Sequence, residues 1–406
     1  MQENLIESAY VLYRKLKSFL ASILYYLCRL LPISRYKIVL SSFEGRQGYA
    51  CNPKYIAEEL ARRNKERPEC ERYELVWLVN RMDKEFPPFI RKVKNTVWNR
   101  AFHLSTAAVW VDTHRKPLET RKRKGQFYIN TWHGAIGFKP VGALRGSKLP
   151  KIAYLVSKHD SELIDVFLSN SEWCSELYYK AFFYEGQVLK TGSPRCDAIN
   201  RRSQLRELIR RRYHLPLDAN ILLYAPTFRG GYQKTGVDAK QQDSSLDMEQ
   251  LLQNLKEKFG GDWYIFVRFH PLLASKKHQY NHTDPKIIDV TAWDDAYELL
   301  AASDAFISDY SSLAFDALAM SVPVFIYAED MREYSEERGE LLWHKEELPF
   351  PVAMNNDELH RFIQRFDIVR YKLKIEQFAD KVGLLEDGQA SSRVADLIDA
   401  HTGGRL

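Results

Sequence analysis

No G-x-x-x-x-G-K-[ST] phosphate loop occurs in the 406 residues, and no G-x-G-x-x-G follows the first strand-like run. These absences argue against a nucleoside triphosphatase and a standard dinucleotide enzyme. A G-x-S-x-G elbow is missing, so serine hydrolase chemistry is unsupported. Asp-x-Asp, the pair that would hold a divalent ion on a nucleotide sugar, is missing too. The five cysteines (Cys28, Cys51, Cys70, Cys174, Cys196) form no C-x-x-C pair and have no histidines at zinc spacing. No metal site, disulfide framework or cofactor is therefore expected, and a reducing cytoplasmic compartment fits. The charge is mild, 59 basic against 53 acidic residues for a net +6. It favours an anionic partner and leaves nucleotide, lipid surface and nucleic acid open.

What is present begins with "LIESAYVLYRKLKSFLASILYYLCRLLPI". Its apolar residues Leu5, Ala9, Leu12, Leu16, Phe19, Ile23, Leu27 and Leu30 recur at i, i+3/i+4, the stripe of an amphipathic helix, with Arg14, Lys15, Lys17 and Arg29 beside it. The uncharged run from Ser18 to Cys28 is short of the roughly 18–20 residues needed to cross a bilayer. The charged front end is long and no small-residue cleavage site follows, unlike a secretory signal. Two readings remain, a helix packed on the protein body and a helix lying in the membrane interface. The density of Tyr, Lys and Arg favours the membrane, so residues 1–35 are expected to form a membrane-associating helix.

A chain of 406 residues is too long for one ordinary core and suits two domains. After Pro32, strand-like runs alternate with helical stretches: "KIVLSSF", "YELVWLV", "AAVWVDT", "QFYINTW" and "DVFLSNS". Asn52 and Pro53 fit a cap and first position of one such helix. The pattern restarts after a basic stretch, "NRRSQLRELIRRRYHL", with "ILLYAPT", "WYIFVRFHP", "KIIDVT", "DAFISDYSS" and "VPVFIY". Strands in series with intervening helices imply parallel βαβ units, hence two α/β domains over 36–200 and 201–400. The basic stretch reads as a solvated connector; it has no lysine and one aromatic, Tyr213, which counts against an RNA surface.

Polar clusters fall at the carboxyl ends of these strands, where open α/β sheets bind ligands. "SDYSSLAFDALA" leads Ser308, Asp309, Ser311 and Ser312 into an apolar-periodic helix whose exposed N–H groups suit a phosphate; a plain serine cap is the alternative. "RFHP" sets Arg268 and His270 two apart on a strand, one face, with Pro271 ending it. A permanent cation and an imidazole aimed together suit a diphosphate. Arg229 in "APTFR" and Arg195 in "GSPRCD" add charge from neighbouring loops, or are merely solvated. In "NTWHGAIGFKP", His133 is open to two readings, a satisfied core histidine and a catalytic one.

These residues resemble the CDP-glycerol glycerophosphotransferase family, the teichoic-acid and capsule polyol-phosphate transferases. "SSFEGRQGYACNPKYIAEEL", "NTWHGAIGFK", "LSNSEWCSELYYKAF", "TGSPRCDAI", "YAPTFR", "RFHP", "ISDYSSLAFDAL", "VPVFIY", "EERGEL" and "EDGQASSRV" occur in the family's order across roughly residues 40–395. The resemblance implies an α/β, GT-B-like fold of two Rossmann-like domains facing a cleft, the C-terminal one holding CDP and the N-terminal one facing the acceptor. His133 matches the family's catalytic histidine, a base for the acceptor hydroxyl, and His270 a second catalytic position. Arg268, Ser311 and Ser312 match residues that hold the diphosphate; Gly134, Arg195, Thr227, Arg229, Asp309 and Asp316 complete the implied donor site. The implied partners are CDP-glycerol or a related CDP-polyol, a lipid-linked saccharide or polymer acceptor and the membrane surface, with no nucleic acid. The implied place is the cytoplasmic face of the cell membrane, as a peripheral protein. Where many members read "WHGTPLK", this chain has the less polar Gly134, Ala135, Ile136 and Gly137. CDP-ribitol is thus an alternative donor, a GT-B nucleotide-sugar glycosyltransferase an alternative enzyme, and a lipid- or RNA-binding module the non-catalytic alternative. Without a further N-terminal domain, addition of one or a few units is expected rather than long-chain polymerisation.

Overall fold

The computed structural model describes residues 2–229, 245–269 and 283–403. The chain divides into two compact units: unit 1 is Met1–His133, Val141–Asp197 and Leu385–Leu406, and unit 2 is Gly134–Pro140 and Ala198–Leu384.

Unit 1 is built on β1 (Ser34–Ser41), β2 (Glu74–Val79), β3 (Ile90–Lys94), β4 (Ala107–Asp112), β5 (Phe127–Asn130), β6 (Val166–Ser169) and β7 (Gln187–Lys190). They form one parallel sheet ordered β3-β2-β1-β4-β5-β6-β7. Unit 2 carries β8 (Asn220–Tyr224), β9 (Trp263–Val267), β10 (Ile287–Asp289), β11 (Ala305–Ser308), β12 (Val324–Tyr327) and β13 (Val352–Ala353). Their order is β10-β9-β8-β11-β12-β13, again parallel. Each sheet winds outward from its first strand and then reverses, which opens a crevice at the strand ends between β1 and β4 and between β8 and β11. Central strands such as β4 are buried throughout, so they read as unbroken apolar runs. The strands absent from the sequence expectation, β3, β7 and β13, are sheet edges.

Helix α1 (Gln2–Cys28) presents the expected stripe outward. Leu12, Leu16, Phe19, Ile23, Leu27 and Leu30 are between 45% (Ile23) and 87% (Leu30) exposed. The face packed on unit 1 is the other one, with Ser18, Ser22, Tyr25 and Cys28 buried. It is tied down by Ser18 Oγ to Glu119 (3.3 Å) and Arg29 Nη2 to the Lys122 carbonyl (3.2 Å). The stripe is therefore not what holds this helix to the body. No helix among the described residues is long and apolar enough to cross a membrane.

Several expectations need correction. Residues 385–400, expected in the second domain, fold with unit 1: Val394, Ala395 and Ile398 of the helix Ala390–Gly403 enter the core with Ile56 and Leu60 of α2 (Cys51–Arg63). Asp399 meets Arg63 and Arg67 at 2.6 Å. Asn52 does not cap α2, whose cap position is Ala50; its amide is spent on the turn described below. Arg268 lies just past β9, which ends at Val267, and His270 and Pro271 lie outside the described residues. The basic helix Arg202–Arg212 is no free connector, since Arg206 and the buried Arg210 both bond Asp304 of unit 2.

Candidate active site

In unit 1 the turns after β1, β4 and β5 converge on His133. Asp112, the last residue of β4, accepts the N–H groups of Thr113 (2.7 Å) and His114 (3.0 Å) and pairs with Lys116, which fixes the turn. Thr113 is fully buried. Its hydroxyl accepts the Phe43 N–H (2.9 Å) and shares a hydrogen bond with His114 Nδ1 (3.0 Å), while its carbonyl lies 3.0 Å from His133 Nδ1. A carbonyl only accepts, so His133 Nδ1 carries the proton and Nε2 carries the lone pair of the neutral ring. That tautomer is the one a general base needs.

The His133 ring is partly exposed and stacked on His114, centroids 4.0 Å apart and 8° from parallel, with Trp132 at 4.2 Å and Phe43 at 5.3 Å. Burial, then repulsion from His133, holds His114 well below the usual imidazole range, so it stays neutral. Trp132 has a left-handed backbone, φ 50°, which costs a bulky residue about 1–3 kcal/mol. The Asn52 amide holds that turn, donating to the carbonyls of Thr131 (3.3 Å) and Trp132 (3.0 Å). Asn130 accepts the Trp132 N–H (2.9 Å) and donates to Asp160 (3.2 Å), whose carboxyl burial pushes up to about 7. Thr113 and His114 went unnoticed in the sequence, although "VDTHRKP" is a polar cluster ending a strand like those that were noticed, and Asn52 was noticed only as a helix cap.

Arg195 is also in unit 1, almost fully buried, its N–H donated to Asn52 (3.1 Å). The rest of the expected donor set is in unit 2, including Gly134, which opens the segment Gly134–Pro140. That segment is anchored by buried Ile136 and Phe138, by Trp343 Nε1 to the Gly137 carbonyl (3.1 Å) and by Phe138 against Phe315 (4.9 Å).

At the β8/β11 crevice, Asp309 accepts the N–H and hydroxyl of Thr227 (2.9 Å each) and Arg229 Nη1 (3.0 Å). Arg229 is also forked onto Asp330, at 2.7 and 3.0 Å, and is held firmly protonated. Two carboxylates balance its charge, so Thr227, Arg229 and Asp309 form a frame more than an open cation site. Arg268 differs. It is 7% exposed, and among the described residues its guanidinium donates only to the carbonyls of Trp293 (3.4 Å) and Asp294 (3.3 Å) while its buried Nε finds no hydrogen-bond partner. Burial pulls its pKa below the usual guanidinium value. No carboxylate among the described residues forms an ion pair with it, and a buried cation is stabilised by an anion brought to it. Ser311 Oγ accepts the Leu313 N–H (3.3 Å), whereas Ser312 makes no such bond at the start of the helix Leu313–Ala319, on which Asp316 is buried. Among the described residues no group of His, Cys, Asp and Glu is placed to hold a metal ion.

The family model described as CDP-Glycerol:Poly(glycerophosphate) glycerophosphotransferase matches residues 23–400. The chain belongs to this family. It is similar to the teichoic acid poly(glycerol phosphate) polymerase of Staphylococcus epidermidis, 31% identical over 375 residues, 89% of this chain and 50% of the relative. Against the teichoic acid ribitol-phosphate primase of Bacillus spizizenii it is 28% identical over 383 residues, 92% of this chain and 93% of that one. A solved structure of a variant of the wall teichoic acid polymerase TagF, soaked with CDPG, matches with a TM-score of 0.78 at 27% identity, covering 97% of this chain and 98% of that one. The fold is therefore the GT-B type of TagF, and the protein is an enzyme of the glycerophosphotransferase family. The chain spans about half the length of the staphylococcal polymerase it matches.

Proposed function

We propose that this protein moves glycerol phosphate from CDP-glycerol to a hydroxyl of a lipid-linked saccharide or growing teichoic-acid or capsule polymer, releasing CMP. The observation that carries this is the bond from His133 Nδ1 to the Thr113 carbonyl, which leaves Nε2 as the basic nitrogen. The acceptor oxygen attacks the phosphorus that bears glycerol, its proton passes to His133 Nε2, and the P–O bond to CMP breaks with its electron pair on CMP. Arg268, with Ser312 and the family's His270 position, offsets the charge on the diphosphate. Thr227, Arg229 and Asp309 shape the loop beside it. Glycerol is the leading donor, because the glycerol-phosphate relative is the more similar of the two, and ribitol is the second. Incubation with CDP-glycerol, CDP-ribitol and UDP-sugars and a lipid-linked saccharide tests it: CMP release from CDP-glycerol is expected, CMP from CDP-ribitol alone would reassign the donor, and UDP release alone would replace the proposal with a glycosyltransferase.

A lipid-linked acceptor supports a peripheral location at the cytoplasmic face of the membrane. The outward apolar stripe of α1 supports this, since a soluble helix normally turns that stripe inward. Vesicle flotation of a Leu16→Ser/Phe19→Ser variant checks it, with lost binding expected.

A further inference from the structure

Beside the exposed stripe of α1, unit 1 has a cavity of about 300 Å³ between α1, the segment around Leu118 and Arg121, and α4 (Lys151–Leu163). Its walls carry Lys15, Arg121 and Lys158 and one acid, Glu162. None of these cations pairs with a carboxylate among the described residues, although Arg63, Arg100 and Lys122 of the same unit all do. Arg121 is pre-positioned, its Nη1 donating to the carbonyls of Leu118 (2.7 Å) and Thr120 (2.8 Å). His159 Nε2 donates to the Thr120 carbonyl (3.0 Å) and fixes the back wall. Phe19 lines this cavity and belongs to the exposed stripe as well.

We propose that this cavity binds the headgroup phosphate of an anionic membrane glycerophospholipid, with the acyl chains running along Leu12, Leu16, Phe19 and Ile23. A bare phosphate has no use for the apolar ridge, and a neutral lipid has none for three unpaired cations. The site rests on the membrane placement proposed above and adds to it a choice of lipid. Cations near a charged bilayer attract it by about 1 kcal/mol each. A Lys15→Gln/Lys158→Gln variant, both positions exposed and their side chains without a bond among the described residues, is thus expected to bind vesicles containing phosphatidylglycerol about 30-fold more weakly.

The full chain is tested on vesicles of phosphatidylcholine alone and of phosphatidylcholine with phosphatidylglycerol. Wild-type preference for phosphatidylglycerol, lost in the double variant while binding to neutral vesicles is retained, is the expected result. Arg121→Lys, which keeps the charge, should keep most of the preference. An undiminished preference in the double variant overturns the pocket and leaves the membrane placement standing. Failure of wild type to bind either vesicle overturns both. Displacement of the protein from phosphatidylglycerol vesicles by millimolar inorganic phosphate at constant ionic strength would reassign the cavity to a soluble anion.

Discussion

At the residue scale, the proposed reaction depends on which nitrogen of one imidazole carries a proton. His133→Ala is expected to lower turnover by about 10²–10⁴ with little change in melting temperature, since its ring is partly exposed. CDP affinity should survive, because the base acts on the acceptor. A destabilised variant with normal turnover per folded molecule would return His133 to the role of a core histidine. Thr113→Val removes the hydroxyl that serves Phe43 and His114 and orphans a part-buried N–H, a cost of about 1–3 kcal/mol visible as a lower melting temperature, while Thr113→Ser should restore most of it. Arg268→Ala is expected to weaken CDP binding by about 1.5–3 kcal/mol in calorimetric titration, the worth of a charge-assisted contact. His133, Arg268 and Ser312 were read as candidate site residues from the sequence because their residue types advertise chemistry at strand ends. Thr113 and Asn52 were not, since a carbonyl and an amide acquire roles only when turns distant in sequence meet.

At the element scale, helix α3 (Val97–Thr106) carries a pH response. His103 is buried on it, and burial, then the positive charges of Lys37 and Arg91, hold it to about 4. Unfolded, it titrates near the ordinary imidazole value of 6.5. Between these values the unfolded chain binds more protons, so this contribution is intact above about pH 6.5 and is lost as pH falls toward about 4, some 3 kcal/mol in total. Melting at pH 7 and pH 5 should therefore show a smaller drop for His103→Phe than for wild type. An equal drop would show that His103 does not titrate in this way. Strands were legible wherever both faces are buried, as in β2 and β4. The edges β3, "IRKVK", and β7, "QVLK", were not, because an edge strand is short and its polar residues break the apolar run that gives an inner strand away. Helix α1 was legible as amphipathic, and only the structure shows its stripe facing out.

At the scale of the whole molecule, the two α/β halves were legible from the restart of the strand pattern, but the exchange of segments between them was not. Gly134–Pro140 reads as a loop of the first half and the helix Ala390–Gly403 as the last helix of the second, because the residues they pack on are remote in sequence. Asp399→Ala, which strips Arg63 and Arg67 of a shared partner, is expected to destabilise unit 1 by about 1–3 kcal/mol, read as a lower melting temperature. The returning helix also sets an order of events on the ribosome. Domains tend to complete in the order in which they are made, yet Val394, Ala395 and Ile398 leave the exit tunnel after every residue of unit 2. Unit 2 can close while unit 1, begun first, waits with an unfilled core. A nascent chain stopped after Leu384 thus carries every residue of unit 2 beside a unit 1 whose core still lacks Val394, Ala395 and Ile398.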